Sequence, residues 1–306
     1  MPEWSAEIEV DAGWARRLIA GQFPDLAVEA VERYGEGWDN TVWLVGGRLL
    51  FRFPRRAIAA GCLERELAAL PVLGPLLDLP VPAVAYRGEP ADGYPWPFFG
   101  TPLLPGVDVS DAPLPDEARN VVGRRVARFL RSLHRPEVLA AVGPLGLPVD
   151  PNARADMQRR VPRALLHLDR VAQAGLWEAP AWVQDLCAAA TALAPSDELV
   201  VVHGDLHFRH LLLEDGRLAG VVDWGDVCLG CRSIDLQLYW SFIPPGERPA
   251  FLAAYGPVDD GDLLRARVLA LSLNALLALY GHETRRAAVA REALASLERT
   301  VRGGGH

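Results

Sequence analysis

The stretch that decides how this chain is read runs Glu198-Leu199-Val200-Val201-Val202, His203-Gly204-Asp205-Leu206-His207-Phe208-Arg209-His210, Leu211-Leu212-Leu213, then a turn at Glu214-Asp215-Gly216, and Leu218 to Val222 closing on Asp223-Trp224-Gly225-Asp226. Short apolar runs bounded by turn residues have the pattern of buried strands. Ionisable residues gather at their ends, where sites are commonly built. Asp205 and Asp223 each follow an apolar run, and the turn between the runs returns the chain. Both carboxylates are therefore expected to project from the same edge of one small sheet. Two carboxylates that close repel strongly in a low-dielectric setting unless a divalent metal or a shared proton neutralises them. Hard oxygen ligands, few in number and with water completing the shell, suit magnesium held together with a polyphosphate.

Outside this island the pattern divides the chain. After a first helix over residues 15–22, residues 41–45 and 48–53 flank Gly46-Gly47, a two-residue turn that tolerates the positive φ of a tight hairpin. Residues 62–73 carry apolar side chains at 63, 67, 70 and 73, the recurrence of an amphipathic helix. Residues 79–86 read as an extended, proline-containing edge, and residues 94–106 as a strand running into a linker. Beyond it the helical pattern dominates, over 117–134, 161–176, 181–193 and two further helices within 261–302. A small strand-rich part, residues 1–104, is expected to precede a larger helical part, residues 105–306.

Composition narrows the functional classes. The 306 residues are 50% hydrophobic and 23% charged, with a mean hydropathy of +0.10, which excludes a disordered chain. The longest nearly apolar run, 268–280, contains Ser272 and Asn274 and falls short of the ~18 residues of a membrane span, so it reads as a core helix. The acidic first residues lack the pattern of a secretory signal, and four cysteines are too sparse for a disulfide scaffold; a cytoplasmic protein is expected. Cys228 and Cys231 form a lone C-x-x-C without a second pair. A net charge of −8 argues against a nucleic-acid footprint. All 31 basic residues are arginine, so chemistry that needs a lysine is absent or done by arginine.

The paired motifs His203-Gly204-Asp205-Leu206-His207 and Gly220-Val221-Val222-Asp223-Trp224-Gly225-Asp226 resemble the catalytic core of the aminoglycoside phosphotransferase family of small-molecule kinases. The resemblance extends through Gly37-Trp38-Asp39-Asn40, Arg52-Phe53-Pro54-Arg55, Tyr94-Pro95-Trp96-Pro97-Phe98 and Ile234-Asp235-Leu236, over roughly residues 30 to 240. It implies an α+β, protein-kinase-like fold with a strand-rich nucleotide-binding lobe ending in a hinge near Leu104 and a helical lobe carrying the catalytic loop and acceptor site.

The same resemblance implies roles. Asp205 would accept the proton of an acceptor hydroxyl, and Asp223 would hold magnesium against the phosphates of ATP or GTP. Asp is a weak base, so orientation and charge stabilisation must supply most of the acceleration. Where most of the family has a metal-ligating Asn, this chain has His210, as is similar to the macrolide phosphotransferase branch; imidazole is the poorer ligand for magnesium. Arg52 stands where kinases place a phosphate-clamping lysine, with Glu66 as its expected partner and Glu64 as a rival. Gly37 and Asn40 belong to a loop whose backbone N–H groups would cover the phosphates. Pro102, through its carbonyl, and Leu104, through its N–H, would meet the base. His203 and Asp235 would hold the catalytic loop, while His207 and Arg209 face acceptor or solvent. His134 reads as a packed helix-end histidine.

The expected partners are a nucleotide and a small-molecule hydroxyl acceptor, with neither nucleic acid nor membrane, and the chain acting as a monomer or weak dimer. A polycationic aminoglycoside would need acids such as Asp108, Asp111, Asp116, Glu247, Asp259, Asp260 or Asp262 in its pocket. A macrolide would need an apolar cleft, for which Trp177, Trp182, Tyr239, Trp240 and Phe242 are available. The alternative class is a nucleotide-binding protein of the same fold with little or no transferase activity.

Overall fold

The computed structural model describes residues 6–28, 30–37 and 39–303, with Glu36 by its backbone only. Trp38 of the expected phosphate loop, the acidic first residues and the end of the glycine-rich tail lie outside the described residues. The chain divides into two compact units: Met1–Pro75, Pro80–Leu104 and Asp223–Val227 make the first, and Leu76–Leu79, Pro105–Val222 and Cys228–His306 the second.

The first unit is built on α1 (Ala12–Gln22), β1 (Val31–Glu36), β2 (Asn40–Val45), β3 (Leu49–Pro54), α2 (Ala57–Leu73), β4 (Tyr86–Gly88) and β5 (Phe98–Pro102). Its antiparallel sheet has the order β1-β2-β3-β5-β4. Gly46 and Gly47 turn β2 into β3 at φ +56° and +67°, but Val45 pairs with Leu49, so the connection is the three residues Gly46-Gly47-Arg48 and not the two-residue turn expected. Alternation then sorts side chains by face. Trp43, Val45, Phe51, Phe53 and Phe98 form one buried cluster with Ala15, Leu18 and Ile19 of α1. Phe99, one residue on from Phe98, turns the other way and packs with Leu63 and Leu67 of α2. Each fully buried phenylalanine contributes roughly 1.5–3 kcal/mol, so this alternation fixes the register. Arg52 is paired with Phe99 across β3 and β5, which puts it on the α2 face. Of the extended stretch expected over 79–86 only its end is strand, as the edge strand β4.

The second unit contains β6 (Val107–Asp108), α3 (Asp116–Leu133), α4 (Pro136–Val142), α5 (Met157–Gln173), α6 (Trp182–Thr191), β7 (Val200–Val202), β8 (Leu211–Glu214), β9 (Arg217–Val221), β10 (Cys228–Gly230), α7 (Gln237–Ser241), α8 (Arg248–Tyr255), α9 (Asp260–Glu283) and α10 (Ala287–Val301). The expectation that Asp205 and Asp223 leave one sheet is corrected here. β7 pairs with β10, whereas β8 and β9 join β6 in a separate sheet. The reason is that Cys228–Gly230, which local pattern left as loop, supplies the antiparallel partner of β7.

α9 is apolar on nearly all sides and packs against α5, α6, α7 and α10, as a helix without a polar face must. It is the one helix among the described residues long and apolar enough to cross a membrane, yet 78% of its apolar window is buried inside the protein. Gly281 lets α10 approach: a Cβ there would stand 2.5 Å from the backbone nitrogen of Ala290. Gly281→Ala is expected to destabilise the protein by about 1–3 kcal/mol, lowering Tm by roughly 2–4 °C for each kcal/mol. Gly21→Ala in α1, where a Cβ meets nothing within 4 Å, is expected to be neutral or to stabilise by up to ~1 kcal/mol. Thermal unfolding of the two variants checks this, and equal melting of Gly281→Ala and wild type would refute the close approach.

Candidate active site

In the second unit β7 ends at Val202 and the chain turns through Gly204, at φ +90°. The turn is held from below by Asp235, whose carboxylate is wholly buried. Its Oδ2 accepts the His203 N–H at 2.8 Å and its Oδ1 the Gly204 N–H at 3.1 Å. His134, the C-cap of α3, places Nε2 3.3 Å from Asp235 Oδ2 and Nδ1 2.8 Å from the Tyr255 hydroxyl. Burial opposes ionisation of Asp235, but the hydrogen bond and charge of His134, with His203 behind them, outweigh it and hold the carboxyl below the ordinary aspartate range.

The histidines of the loop have definable tautomers. His203 Nδ1 accepts the Asp205 N–H at 3.3 Å, so its Nε2–H donates to the Val222 carbonyl at 3.0 Å. His210 Nδ1–H donates to the Asp205 carbonyl at 2.8 Å, which leaves the lone pair on Nε2. His207 Nδ1 accepts the Arg209 N–H at 3.2 Å, and its ring lies over that of His210 with centroids 3.9 Å apart. The Asp205 carboxylate, 31% exposed, is flanked by His207 Nε2 at 3.6 Å and Arg154 Nη2 at 3.9 Å. Gln237 of α7 donates to the Leu206 carbonyl. Main chain and rings are thus engaged in fixing the loop while the Asp205 carboxylate forms part of the wall of a cleft in this unit.

In the first unit, Arg52 Nη1 reaches both oxygens of Glu66, at 3.0 and 3.1 Å. Glu66, and not Glu64, is therefore its partner. The guanidinium carbon lies 5.9 Å from the centre of the Phe99 ring. Burial works against the charge of Arg52, yet Glu66 and Asp223 together raise its pKa. Burial pushes the Glu66 carboxyl up, Arg52 opposes this, and Asp223 adds to it. Glu66 Oε1 also accepts the Trp224 N–H at 3.3 Å, and Arg65 of α2 donates to the Gly225 carbonyl at 3.0 Å, so the segment after β9 is docked on α2. Asp223 sits at φ +70°, a conformation unfavourable for a residue with a Cβ and typical of functional sites.

The remaining expected residues fall at the edges of this unit. Gly37 N–H donates to the carbonyl of Asn40, the first residue of β2, at 2.9 Å, and Arg55 donates to the Gly37 carbonyl at 3.0 Å. The Leu103 N–H is taken by the Arg48 carbonyl at 2.8 Å, with Pro102 exposed at the end of β5 and Leu104 half-buried.

The donor set can be tested for magnesium. Asp223 offers hard oxygen next to groups whose titration already registers its negative charge, which suits a divalent cation. His210 offers Nε2, a nitrogen that magnesium accepts less well. Asp205, His207 and His210 each bring one ligand atom within 4.8 Å of the others, the one such group of three among the described residues. Among the described residues no cysteine forms a disulfide, and Cys231 Sγ accepts from Ser233 Oγ at 3.0 Å.

Arg154 and Gln237 were not singled out in the sequence. Gln237 is two residues from Asp235 and carries no motif. Arg154 precedes the run Arg159-Arg160-Val161-Pro162-Arg163, whose density of arginine was the available signal.

An antiparallel-sheet unit, a mainly helical unit and an Asp loop pinned by a buried carboxylate define the protein-kinase-like class of phosphotransferases. The chain belongs to the phosphotransferase enzyme family, whose model matches residues 30–269, and it is a small-molecule kinase of that family. Among solved structures it is similar to the wild-type aminoglycoside 2'-phosphotransferase-IIIa in its GDP complex, at 24% identity and TM-score 0.69 over 95% of this chain and 98% of that one. It is also similar to the macrolide 2'-phosphotransferase of Brachybacterium faecium, an apoenzyme, at 23% identity and TM-score 0.65 over 94% and 97%. A third, the macrolide 2'-phosphotransferase type I, matches at 21% identity and TM-score 0.63 over 96% and 98%. At these identities the likeness shows the fold. No curated protein matches the sequence.

Asp235 gives the site a pH signature. Its folded carboxyl titrates below the unfolded value, so its stabilisation is complete above about pH 4 and is lost as pH falls through the depressed value. In Asp235→Asn this part of the acid limb is expected to vanish. Denaturant unfolding of both proteins should give a stability gap that closes as pH falls from about 4 towards 2, and a constant gap would contradict the assignment.

Proposed function

We propose that the chain is a magnesium-dependent kinase that moves the γ-phosphoryl group of ATP or GTP to a hydroxyl of a small molecule. The observation that carries this reading is the Asp205 carboxylate, held by a fully bonded loop at the wall of a cleft with Arg154 and His207 beside it. Asp205 orients the acceptor hydroxyl and takes its proton as the new O–P bond forms and the bond to the nucleoside diphosphate breaks. Arg52, oriented by Glu66 and supported on Phe99, clamps the α- and β-phosphates with its planar fork. The turn from Gly37 to Asn40 covers the phosphates, and the base meets the Pro102 carbonyl and Leu104 N–H. Asp223, with His210, would hold magnesium, which when bound offsets the charge of the phosphates. Residues 1–104 then supply the nucleotide half and residues 105–306 the acceptor half.

Related solved structures support a nucleotide donor: one is a GDP and kanamycin complex and another is ADP-bound. Kanamycin, gentamicin and streptomycin, each bound in one of these structures, and the macrolides named by two others define a range of compounds to test here.

Transfer of labelled γ-phosphate from ATP and GTP across such a panel tests the reading. Asp205→Asn is expected to lower turnover by ~10²-fold or more with nucleotide affinity nearly unchanged; undiminished turnover would remove Asp205 from the reaction. Asp223→Ala is expected to abolish the magnesium dependence of nucleotide binding, measured by calorimetry with and without the ion, and an unchanged dependence would rule out the metal assignment. Nucleotide binding without transfer to any acceptor would favour the binding-protein alternative.

A further inference from the structure

The cleft beside Asp205 lies within the second unit, and its lining has a definite sign. Arg154, Arg160 and His167 face it, and Asp205 is its one acid. Leu269, Leu273 and Leu276, on successive turns of α9, form its apolar wall. Asp150, whose charge acts on Arg160, has its carboxylate on the Arg154 and Ala155 backbone N–H groups, at 2.7 and 2.8 Å. Arg160 gives one N–H to the Asn152 carbonyl at 3.1 Å, but its Nε is buried with no hydrogen-bond partner among the described residues. Burial, and then repulsion from Arg154 and Arg163, push its pKa down to about 10. Arg160 also lines a second hollow, with Arg159 and Arg163. A buried donor without an acceptor and guanidiniums that repel one another are both relieved by an anion.

None of the acids named for a polycationic acceptor lines this cleft, and three of them are engaged elsewhere. Asp262 is ion-paired with Arg265 at 3.0 Å, Asp259 caps α9, and Asp108 accepts the Ser110 N–H at 2.7 Å. Of the aromatic residues named for a macrolide cleft, Trp182 and Trp240 pack against Arg267, Tyr239 against Arg248 and Phe242 against Arg119.

Building on the kinase reading, we infer that the acceptor is an anionic alcohol: a small molecule with an apolar body, a hydroxyl presented to Asp205, and a carboxylate or phosphate group bound by Arg160 and Arg154. Arg154 screens the Asp205 charge from that anion. The leucines of α9 bury the body between the two ends, so specificity rests on the distance from hydroxyl to anion as well as on charge.

The test is a matched series: 6-hydroxyhexanoate, its methyl ester, 6-hydroxyhexyl phosphate and 6-aminohexanol. Binding to the full chain is measured by calorimetry without nucleotide, and γ-phosphate transfer is measured separately. At least one anion is expected to bind about ten-fold or more tighter than the neutral ester, and the two anionic arms tell carboxylate from phosphate. Arg160→Gln should bring the anion-to-ester ratio close to one, while Arg160→Lys keeps a preference for the anion. The inference is overturned if the ester or the amine binds as tightly as the tighter-binding of the two anions, if none of the four binds, or if folded Arg160→Gln keeps the full preference. Should Arg160→Gln not fold, the wild-type ranking decides. Anion-selective binding without transfer to any compound would uphold the anion site and count against the kinase reading, so the two fail separately.

Discussion

A carboxylate with no contact with water needs donors on every side, and Asp235 obtains them from three parts of the second unit. Two main-chain N–H groups come from the turn after β7, and one imidazole comes from the end of α3, itself backed by the Tyr255 hydroxyl of α8. An unpaired charge in this position would be prohibitive. The conformation of the loop from His203 to His210 is thereby tied to the positions of two helices, and the Asp205 side chain inherits a fixed origin. The histidines extend the same logic: His207 and His210 each use one ring nitrogen on the main chain and His203 uses both, so ring and backbone hold each other.

Arginine does all the cationic work, and the burial pattern shows why this is workable. A guanidinium is planar, weakly hydrated and able to stack, so it tolerates positions from which an ammonium would be expelled. Arg267 lies between Trp182 and Trp240, with its charge 4.8 and 4.3 Å from the two ring centres. Arg119 and Arg299 share Glu292 in the interior and join α3 to α10. Arg52 and Glu66 repeat the arrangement under the sheet of the first unit. Polar ties across the core are thus made largely by one side-chain type, while Arg160 of α5 keeps a buried Nε with no acceptor among the described residues.

The hairpin, α2, the helical second half and the Asp205 and Asp223 motifs were legible because local pattern determines them: paired glycines between alternating runs, a recurring apolar stripe, motifs at the ends of strands. Glu66 rather than Glu64 was legible for the same reason, since helix phase puts it on the face of Leu63 and Leu67. The pairing of β7 with Cys228–Gly230 was not, because a three-residue strand with glycine at its end acquires its identity from its partner. α4 and α8 were missed for brevity, each being too short to display a period. Arg154 and Arg160 were not legible because nothing local tells an arginine at a cleft from one in water.

The docking of residues 223–227 on α2 bears on how the protein comes to be made. The first unit takes most of its residues from the start of the chain, yet Glu66 waits for the Trp224 N–H and Arg65 for the Gly225 carbonyl. During synthesis the nascent sheet and its two helices emerge well before that segment, and at ~5–20 residues per second the interval is on the order of ten seconds. Through that interval the buried carboxylate of α2 is short of a donor and the surface that receives Trp224 is uncovered. The early unit therefore reaches its finished form only when much of the second unit has already left the ribosome.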